Sequence, residues 1–72
     1  MSFVYKDNNQ IAIEIKKVML ENNVSQREIA KKLDITPQAL TKLFNKKNFG
    51  FEDASKILKA MNYNLLVSFD NM

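Results

Sequence analysis

The sequence predicts a small, mostly α-helical domain of four helices that ends in a short β-strand. Ser25 is followed three residues later by Glu28, the spacing at which side chain and backbone cap each other where a helix begins. Thr36-Pro37 gives a second start signal, since Thr is a favoured N-cap and Pro is preferred at the first helical position. Near the end, Leu65, Val67 and Phe69 alternate with Leu66, Ser68 and Asp70, the period of a strand with one strongly apolar face.

In chain order, Phe3-Val4-Tyr5 is β-branched and aromatic, enough for a short strand or an apolar arm. Asp7 and Gln10 resemble a capping box and open a helix over about 8–22. Ile11, Ile15, Val18 and Met19 form its main apolar face, while Ile13 and Leu20 form a second stripe roughly opposite. A helix in a single-layer bundle needs one buried face, so the second stripe calls for a terminal strand or another subunit to cover it. Asn22-Asn23 ends this helix, because Asn tolerates the left-handed conformation.

Helices over about 26–33 and 37–45 follow. Ile29, Ala30 and Leu33 line the first, and Leu40, Leu43 and Phe44 line the second. Lys46-Lys47-Asn48-Phe49-Gly50 reads as a loop, and a fourth helix runs over about 51–61. Phe51, Ala54, Ile57, Leu58 and Met61 share one of its faces, and Glu52 and Asp53 suit the positive end of its dipole. The strand over about 64–69 needs a partner for its amides and carbonyls. Two are available: residues 3–5 of the same chain, or the same strand of a second subunit. The whole chain, 1–72, reads as a single domain without repeats or linkers.

Composition narrows the function. With 72 residues and neither cysteine nor histidine, the domain has no disulfide or metal staple, and must rest on packed helices or on a partner subunit. With no metal-ligand cluster and no Gly-rich phosphate loop either, an enzyme, a metal or another cofactor is not expected. Glu52-Asp53, the adjacent carboxylates, are explained by the start of a helix. No apolar run is long enough to span a membrane, and the N-terminus does not read as a signal peptide, so the expected location is the cytoplasm. The net charge is +3, and residues 26–47 hold six cations (Arg27, Lys31, Lys32, Lys42, Lys46, Lys47) against two acids (Glu28, Asp34). Positive charge therefore gathers on the two middle helices, where it favours a polyanionic partner.

From Ile15 to Met61 the residues resemble the Cro/repressor-type (lambda repressor-like) helix-turn-helix DNA-binding proteins. Ile15, Val18, Val24-Ser25-Gln26, Ile29-Ala30, Leu33, Ile35, Leu40, Leu43 and the segment from Ala54 to Met61 carry the likeness. Ala30 stands where that family keeps a small residue at a close helix crossing, as steric packing requires. The departures are Asp34, Asn23 and Asn62, which stand where the family usually has glycines; Asp and Asn tolerate a positive φ at some cost.

The resemblance implies double-stranded DNA as partner, with base-reading positions at Pro37, Gln38, Thr41 and Lys42. Helical geometry independently turns Gln38, Lys42 and Asn45 outward, with Thr41 on their flank. Gln pairs with adenine and Lys with guanine in the major groove, while Thr41 and Ala39 offer contact to a thymine methyl. Phosphate contacts are expected from Gln26, at a helix N-terminus, and from Ser25, Thr36, Asn45, Lys46 and Lys47. Ser25 and Thr36 also have a plain role as caps, and Lys31 and Lys32 read as a solvated face.

Leu65, Val67 and Phe69, with Ile13 and Leu20, point to a symmetric homodimer. The expected function is a sequence-specific transcriptional repressor occupying a pseudo-palindromic operator, with no small-molecule ligand. The alternative is an interaction module, such as an antitoxin, whose C-terminal strand or Ile13–Leu20 stripe docks on a toxin or other protein partner.

Overall fold

A computed structural model describes residues 3–71 as four helices: α1 (Asn8–Glu21), α2 (Gln26–Leu33), α3 (Pro37–Phe44) and α4 (Phe51–Ala60). α2 packs on both α3 and α4, and α1 packs on α4, so α2 and α4 are central. The core joins Ile11, Ile15 and Met19 of α1 to Ile29 and Ala30 of α2, Leu40 and Phe44 of α3, and Ala54, Ile57 and Leu58 of α4. Each set recurs at helical spacing, which is why the stripes were visible in the sequence.

Three helices end in the same way. Asn23, Asp34 and Asn62 hold φ of 55°, 59° and 65°. The residue after each donates its amide back five positions along the chain: Val24 to Met19 O (2.9 Å), Ile35 to Ala30 O (3.0 Å) and Tyr63 to Leu58 O (2.9 Å). These are Schellman closures, which satisfy carbonyls that a helix end would otherwise leave unpaired. Of the three residues that follow, Val24 packs against the core, while Ile35 and Tyr63 stay exposed. Gly50, the chain's single glycine, has an extended φ of −124° and is not used for this purpose.

The loop after α3 is less polar than its lysines suggest. Phe49 is 1% exposed and stacks on Phe44 with ring centroids 5.9 Å apart. Phe49 is therefore a core residue carried on a loop, and it locks the end of α3 to the start of α4. The Asp53 carboxylate accepts the Gly50 amide at 3.2 Å and fixes the entry to α4. Glu14 is buried on α1, with its Oε2 accepting from Gln10 (2.6 Å) and Lys17 (3.2 Å).

The expected C-terminal strand over 64–69 does not form, and neither does one over residues 3–5; there is no β-strand among the described residues. A strand needs a ladder of backbone partners, and no described segment of this chain supplies one. The alternation fails as well. Leu65 packs against the core, whereas Leu66, Val67 and Phe69 are all exposed, so Leu65 is not part of a free apolar face. Ile13 and Leu20 also remain exposed, uncovered by either terminal segment. Phe51 does not point fully inward; it is half exposed and meets Tyr5 edge-on at 6.4 Å.

Candidate nucleic-acid interface

The α2–α3 pair is built from its caps outward. Ser25 Oγ accepts the Glu28 amide (3.1 Å) while Glu28 Oε1 accepts the Ser25 amide (3.2 Å), a complete capping box. Thr36 Oγ1 accepts the Ala39 amide (3.0 Å), with Pro37 next to it at the first helical position. Both starts therefore have defined exit angles. Between them, Asp34 makes the sharp reversal that lets α3 cross α2. The crossing is sealed by Ile29, Ala30 and Leu40, each 1% exposed or less.

With its inner face fixed, α3 has a fixed outer face. Pro37, Gln38, Thr41 and Lys42 are all exposed, and Ala39 is half-buried behind them. Gln38 and Lys42 are four residues apart, so they stand one turn above the other on the same side of the helix. Gln38 offers one amide donor–acceptor pair and Lys42 a mobile cation, complementary to the edges of purines. Their side chains make no described hydrogen bond or ion pair within the chain, so both are free to meet an external partner.

The candidates around α3 are less uniform. Ser25 Oγ donates its proton to Glu28 Oε1 at 3.2 Å, so the hydroxyl is committed twice and lies beside a carboxylate. Thr36 uses its oxygen for the cap, and its proton has no acceptor among the described residues. Thr36 is thus the better placed of the two for an anion. Lys46 pairs with Asp53 at 3.4 Å, whereas exposed Lys47 has no ion-pair partner among the described residues. Asn45 is exposed at the end of α3, where it caps the helix.

One contact was not legible. Thr41 Oγ1 lies 3.3 Å from Gln26 Oε1 and 3.1 Å from the Pro37 carbonyl. The first links residues fifteen positions apart, and depends on the angle at which α3 crosses α2. Lys16 of α1 likewise reaches the Phe44 ring, its Nζ 5.1 Å from the centroid, which places another cation close to the end of α3.

A family model described as helix-turn-helix matches residues 15–67. The chain belongs to the Cro/repressor-type helix-turn-helix family. No curated protein and no solved structure gives a significant match. The matched span covers the core from the second half of α1 onward, including the whole α2–α3 unit, and it makes DNA the expected partner of that unit. None of the described helices is long and apolar enough to cross a membrane.

Proposed function

We propose that the protein is a sequence-specific repressor that lays α3 in the DNA major groove and acts by occupying its operator. The observation that carries this reading is the sidedness of α3: a sealed apolar inner face, and an outer face that presents Gln38 and Lys42 without partners among the described residues. Gln38 and Lys42 read bases, and Pro37, Ala39 and Thr41 shape the surrounding contact. Gln26, Thr36, Asn45 and Lys47 take the phosphates, with Lys46 and Ser25 as weaker members because each is already engaged by a carboxylate.

Two copies acting together would match a pseudo-palindrome, with reading helices about 34 Å apart, one turn of DNA. Exposed Ile13, Leu20, Val67 and Phe69 support such a homodimer, since a second copy would remove them from water and could give residues 64–69 the ladder that one chain lacks.

Selection from random duplexes, read by sequencing, tests both parts. The expected result is an inverted repeat with half-site centres about 10 base pairs apart. Gln38→Ala should weaken binding to the selected site by about 1–3 kcal/mol and relax one position in each half. Enrichment of no sequence would refute base reading, and a single unrepeated site would refute the dimer.

A further inference from the structure

Outside the α2–α3 unit, α1, α4 and the two terminal segments form a groove of about 1320 Å³. None of its lining residues belongs to α2 or α3. The chain has five Phe and two Tyr, and five of these seven line the groove: Phe3, Tyr5, Phe51, Tyr63 and Phe69. Aromatic rings gathered at a surface mark recognition, because each offers a large apolar contact to whatever covers it.

The charges along the groove are of one sign. Glu14, Glu21 and Asp70 line it, and no Lys or Arg does so among the described residues. Glu14 is only 9% exposed, and its Oε2 takes both of its hydrogen bonds, from Gln10 and from exposed Lys17. Its Oε1 has no partner among the described residues. No sealed side-chain oxygen there lacks a partner, so Oε1 reaches solvent, on the wall that Glu14 gives to the groove. A carboxylate so nearly buried, with one oxygen free, is a strong acceptor for a cation, since little water competes for it.

The third feature is main chain. From 64 to 71 no backbone amide or carbonyl makes a backbone hydrogen bond among the described residues. The groove is also larger than the roughly 300–1,000 Å³ of small-molecule sites. An extended peptide suits both, because it fills a long groove and brings a ladder of its own. We infer that the groove docks an extended, basic and apolar segment of another protein. The segment adds a strand along residues 64–70, sets apolar side chains among the aromatic rings and places a Lys or Arg on Glu14. A second copy of this chain is a poorer occupant: its residues 64–70 would bring Asp70 and no cation to a groove that is already acidic. The α2–α3 unit stays free while the segment is bound.

The test uses the full chain and a displayed library of random peptides of about nine residues, the length of a strand. The expected result is enrichment of sequences that combine Lys or Arg with large apolar side chains. The strongest of these, made synthetically, should bind Glu14→Gln about tenfold more weakly than wild type, the loss of one charge-assisted hydrogen bond. Glu21→Lys reverses an exposed charge outside the core and should weaken binding too, which keeps the test open if Glu14→Gln does not fold. Successive amides of a strand point to opposite edges, so of Leu66→Pro and Val67→Pro one should abolish binding and the other leave it intact. Wild-type affinity in both carboxylate variants, or the same affinity in both Pro variants, would overturn the inference. So would a library that enriches nothing. Enrichment of acidic apolar sequences like residues 64–70 would overturn it as well, and would give the groove to a second copy.

Discussion

The α2–α3 unit and the two terminal segments are built on opposite terms. The unit closes its own accounts: both helix starts are capped, the reversal at Asp34 is hydrogen-bonded, and Ile29, Ala30, Leu40 and Phe44 are sealed within one chain. Its polar groups are left over, and they face out. The terminal segments reverse this. Phe3, Val4, Leu66, Val67 and Phe69 are exposed, and the irregular backbone around them has no ladder among the described residues. One region is complete in itself and offers polar groups to a partner; the other is apolar and unfinished. The difference predicts that changes in the two regions will register in different measurements.

The largest effect is expected at the hinge between the unit and α4. Phe49→Ala removes a ring that is fully buried and stacked on Phe44, and should destabilise the chain by about 3–5 kcal/mol. For so small a domain that is most of its stability, and a cooperative urea transition should be lost or moved to very low denaturant. A transition shifted only slightly would mean that Phe49 is replaceable and that the loop does not belong to the core.

That residue also marks where the sequence stops being readable. Ile11, Ile29, Leu40 and Ile57 could be assigned to the core because they recur at helical spacing, and the caps because Ser25, Glu28, Thr36 and Pro37 are local signals. Asn23, Asp34 and Asn62 were legible too, as the residue types that accept a positive φ where glycine is missing. Phe49 belongs to no stripe, since it sits among polar neighbours in a loop, and burial there is decided by what lies across from it. The contact between Gln26 and Thr41, and the pairing of Lys46 with Asp53, escape for the same reason: each depends on how helices and loops are placed against one another. The strand over 64–69 was misread in the other direction. Period-two alternation records what a segment is suited to, and the described residues of one chain provide no edge for it to join.

A smaller effect tests the completeness of the unit. Asp34 bears two penalties, a left-handed backbone at φ 59° and a negative charge at the C-terminal end of α2, where the dipole favours cations. Asp34→Gly removes both and should raise stability by about 1 kcal/mol, read as a higher urea midpoint with an unchanged slope. Asp34→Asn removes the charge alone and should recover a fraction of that gain. A loss of stability in the glycine variant would show that the carboxylate has a favourable partner in solution.

The smallest effect on stability is expected in the tail, where the comparison is sharpest. Phe69 is 97% exposed and Leu66 is 90% exposed, so replacing either with Ser takes almost nothing out of a core. Phe69→Ser and Leu66→Ser should change the unfolding free energy of the monomer by no more than about 0.5 kcal/mol. If these residues meet a second copy, the same substitutions should lower self-association in sedimentation and flatten the cooperativity of operator binding. The reading α3 would be untouched, so affinity for a single half-site should stay at the wild-type value. A stability loss comparable to that of a buried leucine, about 2–5 kcal/mol, would instead mean that the tail folds back on its own chain in solution. Unchanged stability together with unchanged assembly would move the proposed dimer contact to Ile13 and Leu20 on α1, another exposed apolar pair.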